Sequence, residues 1–402
     1  VPSDWRLVRL AEVSSECSAR NRNLEFGRDD VLSVDNQLGL IPSDRNLGDD
    51  FSRYKVVDNL AFAYNPMRLN VGSIGLWEAR HAAIVSPDYI VFRCKPEEAA
   101  AEFLNEFRKS AAWKQQIEQS GQGSIRIRYY YRHISEFLVP LPPLAEQRAI
   151  AHVLRTVQRA KEATEKVLAA TKQLKQSLLH RLFTYGPVPF DQADQVELKE
   201  TEDGPMPKAW AVRRLGDIAT LSTGTTPSTA QPEYYDGPVP FIKTGQIANN
   251  VINRPDTTIS QKAVEDYSLR LYPPGTVFMA MYGQGKTRGQ VALLGIEATT
   301  TQNTAAIVPG VDVVPEFLWL YLMSTYELLR EKGFHGQISH LNLGYVRELA
   351  IPLATIPEQR IVASAVLKVQ RKFEAELARH QALTTLFNTL LHHLMTGKVR
   401  VV

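Results

Sequence analysis

Val139-Pro-Leu-Pro-Pro-Leu-Ala-Glu-Gln-Arg148 returns about 212 residues later as Ile351-Pro-Leu-Ala-Thr-Ile-Pro-Glu-Gln-Arg360. Two other matches keep the same order. Trp5-Arg-Leu-Val-Arg-Leu-Ala-Glu-Val13 pairs with Trp210-Ala-Val-Arg-Arg-Leu-Gly-Asp-Ile218, and Ser177-Leu-Leu-His-Arg-Leu182 with Thr389-Leu-Leu-His-His-Leu394. Three ordered matches at nearly one offset mark a tandem duplication. Each half reads as a mixed domain followed by one long helix.

The helices follow from proline placement and periodicity. Pro142, Pro143 and Pro357 suit the first turn, where a missing N–H costs little. In the first helix, apolar or small residues recur at Ile150, Val153, Val157, Ala160, Thr164, Val167, Thr171, Leu174 and Leu178. The steps alternate between three and four, as in a heptad seam. In the second helix Val362, Val366, Val369, Phe373, Leu383, Phe387, Leu390 and Leu394 mark the seam, and Glu376 and His380 interrupt it. Gly186-Pro187 and Gly397 end the two helices. Each helix has about 40 residues and is therefore about 60 Å long. A striped helix of that length needs a partner. The other copy is one partner; the helix's own domain is the alternative.

The fold class expected is α+β: two mixed α/β domains separated by two long antiparallel helices that form a coiled-coil spacer, with an internal pseudo-two-fold repeat. The boundaries expected are 1–140 for the first domain, 141–186 for the first helix and 187–205 for a linker. The second domain follows at 206–350, its helix at 351–396 and a tail at 397–402.

The domains share a frame and differ in their loops. Met67-Arg-Leu-Asn-Val-Gly72-Ser-Ile-Gly75 and Gly285-Lys-Thr-Arg-Gly289-Gln-Val both lie between strand-like runs. The latter lies in Ala280-Met-Tyr-Gly-Gln-Gly-Lys-Thr-Arg-Gly289, which resembles a phosphate-binding P-loop. Ala280 stands where the first glycine belongs, and the residues after the motif read as a strand instead of a helix. Lys286 and Arg288 are thus expected on a loop within β structure. Ser120–Arg126 and Gly333–His340 also occupy matching places. A repeated frame with variable loops fits a scaffold that reads two different things.

The chain has 402 residues, 44% apolar and 22% charged, as in ordinary globular proteins. No apolar run suggests a membrane span. Cys17 and Cys94 form neither a metal cluster nor a disulfide framework, so a cytoplasmic location is expected. The net charge of +3 is uneven: residues 141–186 hold 8 basic against 3 acidic side chains, and 351–402 hold 7 against 3. Such helices are either solvated rods or rods lying near a polyanion.

Catalytic chemistry is hard to find. His392 and His393 are adjacent, whereas ligating histidines on a helix prefer i, i+4 spacing. His335 and His340 lack a carboxylate or cysteine cluster nearby. Tyr64-Asn-Pro-Met67 is similar to the Asn-Pro-Pro-aromatic motif of adenine methyltransferases, but Met67 replaces a proline and no glycine-rich cofactor motif precedes it. Other residues suit DNA better. Lysine and arginine neutralise phosphates, glycine permits close approach, and glutamine pairs with base edges. In the second domain these are Lys243, Gln246, Lys286, Thr287, Arg288 and Gln290, with Gln337 and His340 behind them. In the first they are Arg53, Lys55, Arg68, Asn70, Ser73, Gln122 and Arg126.

The duplicated Glu-Gln-Arg before a long helix ending in Leu-Leu-His, and the Trp-x-x-x-Arg-Leu opening of each half, resemble the specificity subunit of type I restriction-modification enzymes. The resemblance covers nearly the whole chain. It implies two target recognition domains, each reading one half of a bipartite double-stranded DNA target, and helices that set the gap between the halves. It implies a non-catalytic chain without cofactor. Two modification (methyltransferase) subunits would bring S-adenosylmethionine, and restriction subunits would bring ATP and magnesium. The competing readings are a coiled-coil adaptor without sequence preference and a self-contained methyltransferase or NTPase.

Overall fold

The computed structural model describes residues 2–36, 38–43, 48–120, 128–283, 286–334 and 341–401. It contains two compact units. One comprises Val1–Lys166 with Leu377–Val402; the other is Val167–Glu376. Each unit therefore holds one mixed domain, half of one long helix and half of the other. The expected domain limits at 140 and 350 do not capture this exchange.

The first unit has a sheet in the order Ser14–Cys17, Ile90–Cys94, Ala61–Tyr64, Ile74–Leu76, with every neighbour antiparallel. The second unit repeats it as Ala219–Thr223, Thr304–Pro309, Val277–Ala280, Val291–Leu294, and adds Asn250–Ile252 parallel to the last strand. Central strands such as Ala61–Tyr64 and Val277–Ala280 are buried on both faces, which explains their unbroken apolar runs. A smaller sheet accompanies each. It is Gly39–Pro42, Val31–Asp35, Ala83–Val85, Lys55–Val57 in the first unit and Thr258–Ile259, Val239–Ile242, Thr299–Thr300 in the second.

The recurring motifs form the junction between each domain and its helix. Arg6–Arg9 pairs antiparallel with Leu138–Leu141, and Ala211–Arg214 pairs likewise with Ala350–Leu353. These ribbons use the Val-Pro-Leu and Ile-Pro-Leu segments. The helices consequently begin later than expected, at Leu144 and Ile356, and run to Tyr185 and Met395. Just inside each helix, a glutamate accepts a bond from the opening tryptophan: Trp5 Nε1 to Glu146 Oε2 at 3.2 Å, and Trp210 Nε1 to Glu358 Oε1 at 3.3 Å. The next residue is a buried glutamine. Gln147 accepts from Ala100 N at 2.8 Å and donates to Glu98 O at 3.1 Å and Pro142 O at 2.9 Å. Gln359 accepts from Val314 N at 2.7 Å and donates to Asp312 O at 3.0 Å and Ala354 O at 2.8 Å. The third residue of the motif, Arg148 or Arg360, is exposed in both copies.

Within each unit the start of one long helix packs with the end of the other. Ile150, Ala151 and Leu154 share a core with Phe387, Leu391, Leu394 and Met395. Val362, Ala363 and Val366 share another with Leu179, Leu182 and Phe183. The second helix follows its expected seam: Val366 and Phe387 are buried, and Val369, Phe373, Leu383 and Leu390 are partly so. Its polar interruptions are held in place, since Lys372 pairs with Glu376 and His380 Nε2 lies 2.8 Å from Glu165 Oε1.

The first helix is shifted by one residue at alternate steps. Ile150, Val157, Thr164, Thr171 and Leu178 keep their places, but the intervening positions are Leu154, Lys161, Leu168 and Lys175. Val153 remains partly buried, whereas Val167 is 39% and Leu174 56% exposed. Both phases offered apolar residues. Lysine stems can line a seam while their ammonium groups reach polar partners, as Lys175 does with Gln370 Oε1 at 2.7 Å.

The expected linker is structured, since Leu198–Lys199 pairs with Met206–Pro207. The tail is anchored too. Arg400 donates to both carboxylate oxygens of Asp4 at 2.9 and 2.7 Å, and to those of Glu146 at 2.6 and 2.8 Å.

Candidate nucleic-acid interface

Strand direction gathers the variable loops of the second unit along one rim. Thr223 lies opposite Ala305, Ala280 opposite Thr304, Met279 opposite Val291 and Asn250 beside Ala292. Segments 224–231, 243–249, 281–290 and 301–303 therefore emerge at the same end of the sheet. The segments are stitched together by Met281 N to Asn303 O at 2.9 Å, Val291 N to Asn249 Oδ1 at 3.1 Å and Thr226 Oγ1 to Gln302 Oε1 at 2.5 Å.

The 281–290 segment joins two antiparallel strands, so no helix follows its Lys-Thr. A turn closes it, with Gln290 N on Thr287 O at 3.0 Å and Gly289 N on Ala280 O at 2.8 Å. Gly289 has φ +86°, a left-handed value that suits glycine. Tyr326 braces the outside. Its hydroxyl donates to Lys286 O at 2.5 Å and accepts from Arg330 Nη1 at 2.8 Å, and its ring lies beside Gly289. Lys286 is exposed; Thr287, Arg288 and Gln290 are partly buried. Lys243 is exposed, with its ammonium 5.8 Å from the Tyr235 ring. These five residues thus belong to one rim. Gln246 serves otherwise: its amide donates to Arg254 O at 2.6 Å and accepts from Asp256 N at 3.2 Å. Both ends are engaged in holding the neighbouring loop, which leaves no bidentate face for a base.

The first unit forms an equivalent rim where Tyr64 meets Ile90 and Cys17 meets Val91. Arg68 and Asn70 stand exposed on the 65–73 loop, around a short turn anchored by the buried Leu69. Arg53 lines a basic cleft with Arg20, Arg22 and Ser52, and Arg20 Nη1 donates to Arg53 O at 2.6 Å. Two expected contacts are corrected. Lys55 is only 9% exposed and its Nζ donates to Tyr89 O at 2.6 Å; burial pushes its pKa down. Ser73 is 3% exposed at the strand edge, where its backbone closes the loop onto Arg68 O and Asn65 N. A side chain so buried cannot reach a groove. Gln122, Arg126, Gln337 and His340 lie outside the described residues.

Sequence reasoning missed several rim residues. Arg20 and Arg22 follow a strand whose end could not be placed without its partner. Gln302 carried no motif, and the exposed Tyr282 lay within the 280–289 stretch without being singled out for DNA contact. Tyr129 N bonds Pro66 O at 2.9 Å, which brings Arg128 and Tyr130 beside the 65–73 loop. The Arg132 guanidinium lies 5.4 Å from the Tyr130 ring. Cations, amides and aromatic rings on a rim suit phosphate contact and base reading. Among the described residues, no group of three or more His, Cys, Asp or Glu could hold a metal ion.

A family model described as type I restriction modification DNA specificity domain matches residues 207–385. The type I restriction enzyme MjaIX specificity subunit of Methanocaldococcus jannaschii is 33% identical over 178 residues, 43% of this chain and 40% of that protein. The HindI specificity subunit of Haemophilus influenzae is 27% identical over 200 residues, 48% of this chain and 42% of that one. The chain thus matches under half the length of these two relatives. A crystal structure of a type I restriction-modification S subunit from M. genitalium has the same fold along the whole chain. Its TM-score is 0.66 at 14% identity, with 97% of this chain and 96% of that one covered.

Proposed function

We propose that this chain, which belongs to the specificity subunits of type I restriction-modification systems, reads a split DNA sequence with its two rims and brings modification enzymes to it. One observation carries the reading. The two domains keep the same strand frame and the same tryptophan–glutamate–glutamine junction, while their rims present different residues. Matching supports with different loops are what two unlike half-sites require.

Each rim would take one half-site of double-stranded DNA. Lys243, Lys286, Arg288, Arg53, Arg20 and Arg68 would meet phosphates, and Gln290, Asn70 and Gln302 would meet base edges. The long helices would set the gap. At 1.5 Å per residue, the 42-residue first helix is about 63 Å long, under two turns of B-DNA.

The partners would be two modification subunits, with restriction subunits where the system has them. S-adenosylmethionine, ATP and magnesium would sit on those partners, and the complex would work on DNA in the cytoplasm. The duplication supports two equal docking places, since Arg148 and Arg360 are exposed at matching points of the two junctions.

The test is co-expression with the modification subunits, followed by single-molecule mapping of methylated adenines. A two-part motif with a fixed gap is expected. An unsplit motif, or none, would leave the adaptor reading in its place.

A further inference from the structure

A second cleft of the first unit, about 630 Å³, opens beneath the 65–73 loop. Leu69, Trp113 and Ile117 form its apolar wall. Asn36, Asn70, Arg108, Lys114 and Glu118 supply its polar groups. Its charged lining is two cations against one carboxylate.

Arg108 is the unusual member. It follows the helix Ala101–Phe107, where its backbone N–H bonds Leu104 O. Its Nε donates to Asn105 Oδ1 at 2.8 Å. The neighbouring carboxylate, Glu106, is buried and accepts both its bonds from Lys109 Nζ, at 2.9 and 2.8 Å. No carboxylate pairs with Arg108 among the described residues, and its terminal nitrogens are left for the cleft. Burial lowers its pKa to about 10, the mark of a poorly solvated cation. A partly buried guanidinium without a carboxylate partner is costly, and its planar fork matches oxyanions.

We infer that this cleft is an oxyanion site, in which Arg108 takes a phosphate group with help from Lys114 and the amide of Asn36. Asn70 also stands on the rim loop, so a DNA strand followed by that loop would bring a backbone phosphate to the cleft. That source rests on the DNA-reading role proposed above; the oxyanion site itself does not. Free phosphate is the other source of the same chemistry. Glu118 opposes either one and sets the affinity below its maximum.

The test uses the full chain assembled with its modification subunits. Binding to a random-sequence duplex is measured by anisotropy across a salt series. Arg108→Met is expected to weaken binding to every sequence alike and to flatten the plot of log affinity against log salt by about 0.9. Glu118→Gln, an exposed change that leaves the fold intact, is expected to tighten binding several-fold. In parallel, inorganic phosphate is compared with chloride at matched ionic strength. It should raise the Tm of the parent chain and not that of Arg108→Met. Phosphate protection with an unchanged salt slope would assign the site to free phosphate. If the parent complex binds no duplex, the DNA role fails and the phosphate arm alone decides the cleft. An unchanged slope, no phosphate protection and no effect of Glu118→Gln would overturn the inference.

Discussion

Replacing Gln147 by leucine should loosen the first unit and leave the second intact. The side chain is 1% exposed and makes three hydrogen bonds, accepting from Ala100 N and donating to Glu98 O and Pro142 O. Leucine has similar bulk, so water has little room to replace the lost amide. It leaves one buried N–H without an acceptor and two carbonyls each short of a donor. An unsatisfied buried group costs about 1–3 kcal/mol, and the orphaned N–H bears most of it because a carbonyl keeps a second lone pair. The sum is about 2–4 kcal/mol. Amide hydrogen exchange reads this directly. Peptides spanning Glu98–Ala100 and the start of the first long helix should exchange about 30- to 1,000-fold faster, at about 1.4 kcal/mol per tenfold. Gln359→Leu should transfer the same effect to peptides around Asp312–Val314, since Gln359 makes the equivalent three bonds. Unchanged protection at these amides, or equal loosening of both units by either variant, would refute the assignment of one glutamine lock to each unit.

Four further outcomes are expected. Lys286→Ala should weaken binding to all DNA sequences alike and flatten the salt slope by about 0.9, as measured by anisotropy; if Lys286→Ala and Arg288→Ala together change neither affinity nor the methylated sequence, the rim assignment fails. Tyr326→Phe keeps the ring against Gly289 but loses the bond to Lys286 O; a loss of about 0.5–1.5 kcal/mol in DNA affinity, with the methylated motif unchanged, is the expected result of a looser loop. Removing one heptad from each long helix shortens it by about 10.5 Å, about three base pairs of B-DNA, so adenine mapping should find a shorter gap between unchanged half-sites.

The fourth concerns acid. Burial would raise the Glu358 pKa, but bonds from Thr355 Oγ1, Thr355 N and Trp210 Nε1 outweigh it and hold the carboxyl below its ordinary value of 4.5. A depressed folded-state pKa gives stability that is present above the ordinary value and lost as pH falls through the lower one. Thr355→Val should therefore lower Tm at pH 7, with the deficit shrinking below about pH 4.5. A deficit that stays constant down to pH 3 would show that the carboxylate is not involved.

The long helices, the duplication and the strand-bounded 281–290 loop were legible because they rest on periodicity and local backbone chemistry. The phase of the first helix was not. Val153/Leu154 and Val167/Leu168 offer apolar residues in both registers, and the packing partner chooses between them. Rim residues were harder still. Lys55 and Gln246 have the chemistry of DNA contacts, yet Tyr89 O engages one and the 254–256 backbone the other. The first partner lies 34 residues away, and the second, 8 to 10 residues on, is met only when the chain turns back on itself. Arg20 and Arg22 carried the opposite error: their closeness to Arg53 exists only once two loops have met. The glutamine of the Glu-Gln-Arg motif was visible as a repeated letter, but its use as a three-bond lock needed the strand and turn it joins.

The exchange of helix halves also sets an order of assembly. On a translating ribosome, the second unit is one continuous stretch, Val167–Glu376, and can close as soon as it has emerged. The first unit begins synthesis earlier but lacks Phe387, Leu391, Leu394 and Met395, which complete its core. The domain made first is thus finished last. Until then its apolar face waits for chaperones or for the nascent helix, and a nonsense codon beyond Glu376 would disable the early domain while sparing the late one.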